Sequence, residues 1–80
     1  MVDYIFYELL IDELPPATVP SFKSYKNNEL EEALKDFEFM KEFDNYVSLY
    51  LMKITVKGND TTRERIKEYH VEKWKYLNDN

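Results

Sequence analysis

Cysteine is absent from this 80-residue chain, which excludes a disulfide framework and a thiolate zinc site and leaves stability to packing or self-association. Glycine occurs once, at Gly58. Loops that cradle phosphates need several glycines so that the backbone can approach the anion, so the Walker and dinucleotide patterns are excluded. The residues after Gly58, Asn59-Asp60-Thr61-Thr62-Arg63, do not supply the alternating oxygen ligands of a calcium loop. Histidine also occurs once, at His70, and serine only at Ser21, Ser24 and Ser48, none in a nucleophile elbow. Hydrolytic and transfer enzymes need a nucleophile, a base and a group that orients the base, and no spacing here assembles them. No catalytic residue, metal or cofactor is therefore expected. Long apolar runs are missing too. The longest, Tyr4 to Tyr7, Leu9 to Ile11 and Leu49 to Met52, are far too short to span a bilayer, and Met1-Val2-Asp3-Tyr4 lacks the basic start of a signal peptide. A reducing cytoplasm is the expected compartment.

What the chain has instead is aromatic mass and charge. Seven Tyr, five Phe and one Trp, each able to bury roughly 150–250 Å², offset the short length and predict one folded domain, residues 1–80. Charge is unevenly placed. Residues 1 to 45 hold eleven Asp/Glu against four Lys, and residues 46 to 80 hold five acids against seven Lys/Arg, for a net charge of −5. Such asymmetry speaks to partners and not to fold.

Periodicity gives the elements. Val2 to Ile11 reads as a strand apolar on both faces, hence central in its sheet or covered on both sides, for instance by a second copy of the chain. Pro15, Pro16 and Pro20 make Leu14 to Pro20 an extended loop. A helix begins near Asn28, with Asn28 as cap and Glu31 reaching back, and buries Leu30, Ala33, Leu34, Phe37 and Met40 along one stripe. Tyr46 to Lys57 alternates as a long strand, and Gly58-Asn59-Asp60 is a turn. Residues 61–77 read either as the return strand of a hairpin, carrying Ile66, Tyr69, Val71 and Trp74, or as a second helix opened by Thr61 and Glu64. The hairpin is preferred because a sheet of two strands is marginal. The expected class is α+β: a small antiparallel sheet of β-α-β-β order packed against one amphipathic helix.

Advancing 100° per residue along the helix puts Glu31, Glu32, Asp36, Glu38 and Glu42 opposite the buried stripe, with Glu29 at the margin. Phe39 and Phe43 fall on that acidic side one turn apart. A helix that ended before Phe39 would instead turn both rings into the core. Aromatic anchors within a field of carboxylates form a protein-contact surface that steers a basic partner, so Glu29, Glu31, Glu32, Asp36, Glu38, Phe39, Glu42 and Phe43 are the candidate partner-binding residues. Direct nucleic-acid binding is disfavoured. Arg63, Arg65, Lys67, Lys73 and Lys75 are interleaved with Tyr69, Trp74 and Tyr76, but Glu64, Glu68 and Glu72 alternate with them and cancel the field.

Small, acidic, rich in Tyr, free of cysteine and poor in glycine, the chain resembles the early proteins with which bacteriophages disable host machinery. The resemblance is compositional, and no motif carries residues over. Some of those proteins are DNA mimics, so the resemblance implies a non-catalytic inhibitor in the host cytoplasm that competes with DNA for a basic nucleic-acid-binding protein, such as a histone-like protein, polymerase or defence nuclease. The alternative expectation is a self-associating structural or regulatory module, such as a homodimer held by exposed strand edges and the opposite charges of the two halves.

Overall fold

A computed structural model describes residues 2–78 as an α+β fold of one four-stranded antiparallel sheet and one helix. The strands are β1 (Tyr4–Glu13), β2 (Ser21–Lys26), β3 (Tyr46–Lys57) and β4 (Asp60–His70), and the helix is α1 (Leu30–Met40). Spatial order is β2-β1-β3-β4. The shortest molecular dimension is 16 Å, which accommodates one helical layer on one sheet and nothing more.

β1 is central, as its two apolar faces require. β2 differs from expectation. Ser21–Lys26 carries two lysines and two serines and buries only Tyr25, yet it pairs with β1 from Phe6↔Lys26 to Ile11↔Ser21. The prolines therefore sit in a hairpin connection, not in a free linker, and the element order is β-β-α-β-β. The helix start differs as well. Asn27–Glu29 form a 3-10 turn ahead of α1, and it is Glu29, not Glu31, whose carboxylate reaches back, accepting from the Lys26 N–H at 2.7 Å. No side chain of Asn28 caps the helix.

β3 and β4 form the preferred hairpin, closed at Lys57↔Asp60 around Gly58-Asn59. Gly58 takes φ +62°, the left-handed conformation that the first central position of a II′ turn demands, and its N–H donates to Asp3 Oδ2 at 2.7 Å. The strand stops at His70, earlier than expected. A register shift between Leu51 and Met52 leaves Ile66 as the extra, exposed residue of a bulge, so Ile66 does not join the core. Beyond the strand, the Val71 N–H still donates to the Val47 carbonyl at 2.9 Å. Glu72–Asn78 then form two short 3-10 turns that meet at a kink at Trp74, whose indole N–H donates to the Asp44 carbonyl. The second-helix alternative fails for Asp60–His70 because ten residues of β3 there find antiparallel partners.

The main core cluster lies between α1 and one face of the sheet, while Ile54 is fully buried on the opposite face. Tyr7, Leu9, Tyr25, Ala33, Phe37, Tyr46, Leu49, Leu51 and Val71 form the cluster, with Ile5, Ile11, Leu30, Leu34, Met40, Tyr69 and Trp74 at its margin. The Tyr46 hydroxyl donates to the Met40 carbonyl at the end of α1, and burial pushes its pKa up to about 12. Residues paired across strands share a face. The other face consequently carries Tyr4, Phe6, Glu8 and Leu10 of β1, Phe22, Ser24 and Lys26 of β2, Tyr50, Met52, Ile54 and Val56 of β3, and Arg63, Arg65, Glu68 and His70 of β4.

Candidate partner-binding surface

α1 forms because apolar residues recur at three and four, and it does not end before Phe39. The chain continues beyond Met40 in i→i+3 bonds, Lys41 N–H to the Glu38 carbonyl, Glu42 N–H to that of Phe39 and Phe43 N–H to that of Met40. These bonds keep Phe39 and Phe43 one turn apart. Their rings meet edge to face at 5.2 Å, and 58% of Phe39 and 44% of Phe43 stay exposed. Both aromatics therefore sit on the surface, on the acidic side.

The carboxylates divide into two sets. Asp36 does not face solvent freely. It is half-buried against β2, accepting from the Tyr25 hydroxyl at 2.7 Å and from Lys23 Nζ at 3.0 Å. Those donors, Tyr25 foremost, hold its carboxyl below the usual Asp range; burial first, and then the bond to Asp36, pushes the Tyr25 hydroxyl up, and Asp36 pushes the Lys23 ammonium up. Glu38 leans to the opposite flank, where Lys67 Nζ of β4 meets it at 3.0 Å and Lys41 at 3.4 Å, with Lys67 the main cause of its lowered pKa. Both were expected in the open acidic field, and both are instead neutralised at its edges. Glu29 is occupied at the start of the helix. Glu31, Glu32 and Glu42 remain exposed and make no ion pair among the described residues, with Lys35 the one exposed cation interleaved among them on α1.

Sequence reasoning missed the notch beside these aromatics. Leu9 and Ile11 of β1, Lys23 and Tyr25 of β2, and Asp36, Phe39 and Met40 line a hollow of about 260 Å³. Its floor is aliphatic, its wall is Phe39, and the Lys23–Asp36 pair forms its polar rim. No local signal marks it, because its walls come from three elements separated by the proline loop and the 3-10 turn.

His70 takes part in a second arrangement, on the face away from α1. Its Nδ1 shares a hydrogen bond with Ser48 Oγ at 2.8 Å, and its Nε2 meets Glu68 Oε2 at 2.8 Å. The order Glu–His–Ser echoes a nucleophilic triad, but a nucleophile must be reached by its electrophile, and Ser48 is fully buried. The chain of bonds instead links β3 to β4, while His70 and Arg65 hold the Glu68 carboxyl below its usual range. Among the described residues no set of three His, Asp or Glu is placed to hold a metal, and no helix is long and apolar enough to cross a membrane. Comparison with protein-family models, curated proteins and solved structures found no match, so the functional reading rests on this geometry.

Proposed function

We propose that this protein is a non-catalytic binding protein whose α1 end engages a basic, nucleic-acid-binding protein in competition with DNA. The observation that carries the reading is the exposed Phe39–Phe43 pair beside an aliphatic notch, on a helix whose Glu31 and Glu32, with Glu42 just beyond its end, are exposed and make no ion pair among the described residues. Large exposed aromatics against a preformed hollow are anchor chemistry. Free carboxylates around them raise the encounter rate of a cationic partner and set its orientation. The partner inserts one apolar side chain between Phe39 and Met40 while its Lys or Arg residues meet Glu31, Glu32 and Glu42. With Asp36 and Glu38 already paired, a continuous ladder imitating a phosphate backbone is not required: steric occupation of the partner's basic surface is enough to exclude DNA.

The test is capture from bacterial lysate at low and high salt, followed by competition between the purified captured protein and a labelled DNA duplex, read by fluorescence anisotropy. A basic protein held at low salt and released at high salt is expected. Three exposed ion pairs contribute roughly 0.2–1 kcal/mol each, about 0.6–3 kcal/mol together, so the Glu31→Lys, Glu32→Lys, Glu42→Lys triple variant should bind roughly threefold to more than a hundredfold more weakly. Binding indifferent to salt and to this triple reversal, or binding that leaves DNA undisturbed, refutes the proposal.

A further inference from the structure

The sheet has a second apolar surface that α1 never touches. None of Tyr4, Phe6, Leu10, Phe22, Tyr50, Met52 or Val56 belongs to the core cluster or its margin, yet strand register brings all of them to one face, together with Ile54, which is already fully buried there. Phe22 is 63% exposed and Tyr4 57%, and Tyr4 stacks on Phe6 with ring centroids 5.9 Å apart. A single sheet face left this apolar needs a cover.

Cross-strand pairing arranges the face in rows. Asp12 lies beside Ser48 and His70; Phe22, Leu10, Tyr50 and Glu68 form the next row; then Ser24, Glu8, Met52 and Arg65; then Lys26, Phe6, Ile54 and Arg63. Charge is graded along the strands. Asp12 and Glu68 occupy one end, Lys26 and Arg63 the other, and the middle row carries one of each sign.

We propose that this face is the interface of a homodimer, in which a second copy packs face to face about a two-fold axis lying across the strands near Met52. That operation reverses strand direction while keeping each strand over its own counterpart. Arg63 then meets the other copy's Glu68, Lys26 lies over its Phe22, and Leu10 packs on Phe6. The acidic end of each copy covers the basic end of the other. The like charges brought near the axis are already compensated within each copy: Glu8, whose side chain is only 14% exposed, is held by Arg63 at 3.0 Å, and Arg65 lies 4.8 Å from the Tyr50 ring centre and 3.3 Å from Glu68.

Area agrees. Four strands at ~4.8 Å spacing and about ten residues at ~3.3 Å give a face of roughly 600 Å². Two such faces bury about 1,200 Å² in all, the lower bound of specific, stable interfaces. A nucleic-acid strand is the weaker occupant, because Asp12, Glu8 and Glu68 cancel Lys26, Arg63 and Arg65 and leave no net attraction for phosphate.

Analytical ultracentrifugation of the full chain from low to high micromolar concentration should show a reversible shift from 9.8 kDa to twice that mass. Phe22→Lys and Met52→Lys should each weaken the dimer at least about tenfold, with far-UV circular dichroism reporting that the chain stays folded. Arg63→Glu and Glu68→Arg should each be monomeric alone, and a 1:1 mixture should restore the dimer, because both inter-copy pairs are then of opposite sign. Monomer at every concentration, a dimer indifferent to Phe22→Lys and Met52→Lys, or a mixture that fails to associate overturns the proposal. So does binding of an oligothymidine by monomeric protein that Met52→Lys abolishes. All four positions lie on the sheet face away from α1, so these results and those of the partner-binding test are independent.

Discussion

Replacing Phe37 and Phe39 by alanine in turn tests which way α1 faces, since the two rings are two residues apart on one helix and the structure gives them opposite environments. Phe37 is 1% exposed, belongs to the same core cluster as Tyr7, Leu49 and Leu51, and has Lys67 Nζ 5.4 Å from its ring centre. Truncating a fully buried Phe costs about 3–5 kcal/mol in lost transfer energy and cavity. A domain of this size has a total stability of roughly 4–12 kcal/mol, so Phe37→Ala should leave the protein near the edge of folding. Phe39 buries less than half its surface and meets Phe43 edge to face. Its truncation should cost only about 1 kcal/mol. Urea titrations followed by Trp74 fluorescence at fixed protein concentration should separate the two. With m near 1 kcal/mol/M for a small domain, the midpoint should fall by roughly 3 M or more for Phe37→Ala and by about 1 M for Phe39→Ala. Equal losses would mean that Phe39 is a packing residue, and the binding surface built on it would have to be abandoned.

Three further outcomes follow from the same structure. Folding lowers the carboxyl pKa values of Asp36 and Glu38 from 3.8 and 4.5, so the stability they contribute is complete above those values and is lost as pH falls through the lower folded ones; thermal unfolding between pH 7 and pH 2 should therefore steepen below about pH 4.5, and Asp36→Asn with Glu38→Gln should flatten that limb. Gly58→Ala meets no atom within 4 Å of its new Cβ, so its cost is purely the positive φ, about 1–2 kcal/mol, measurable as a lower urea midpoint with unchanged slope. Tyr25→Phe removes the strongest donor to Asp36, and the Asp36 carboxyl followed by NMR should titrate at higher pH in that variant, even though Lys23 remains.

Legibility in the sequence followed the range of the interactions concerned. The bounds of β3 were readable to the residue because the positions from Tyr46 to Lys57 run without a breaker and end on the only glycine, whereas the register shift opposite Asp12 and Glu13, which brings Tyr46 into the core with Leu49 and Leu51, was not. The stripe of α1 was readable for the same local reason. β2 was not, since Ser-Phe-Lys-Ser-Tyr-Lys has the composition of a connector and becomes a strand only because β1 presents an unpaired edge beside it. The fate of the acidic face was equally hidden. Helical spacing places Asp36 and Glu38 on the outer surface, but the cations that claim them, Lys23 on β2 and Lys67 on β4, lie 13 and 29 residues away. Glu31, Glu32 and Glu42 escaped that fate, as did the exposed pair of Phe39 and Phe43. The end of β4 was hidden too, because Val71 continues the pairing by one backbone bond before Trp74 is drawn back to Asp44.

The unpaired border of the sheet along β4 bears on what the molecule avoids. Eleven residues of open backbone run there, long enough to recruit foreign strands end over end into a ribbon. Asp60, Arg63, Glu64, Arg65, Lys67 and Glu68 crowd that border with ions of both signs, and the bulge at Ile66 breaks its straight line. An incoming chain would have to strip water from those ions and match an irregular repeat. Polymer growth is thus discouraged at the rim while the flat side of the sheet stays open to a single, self-limiting encounter.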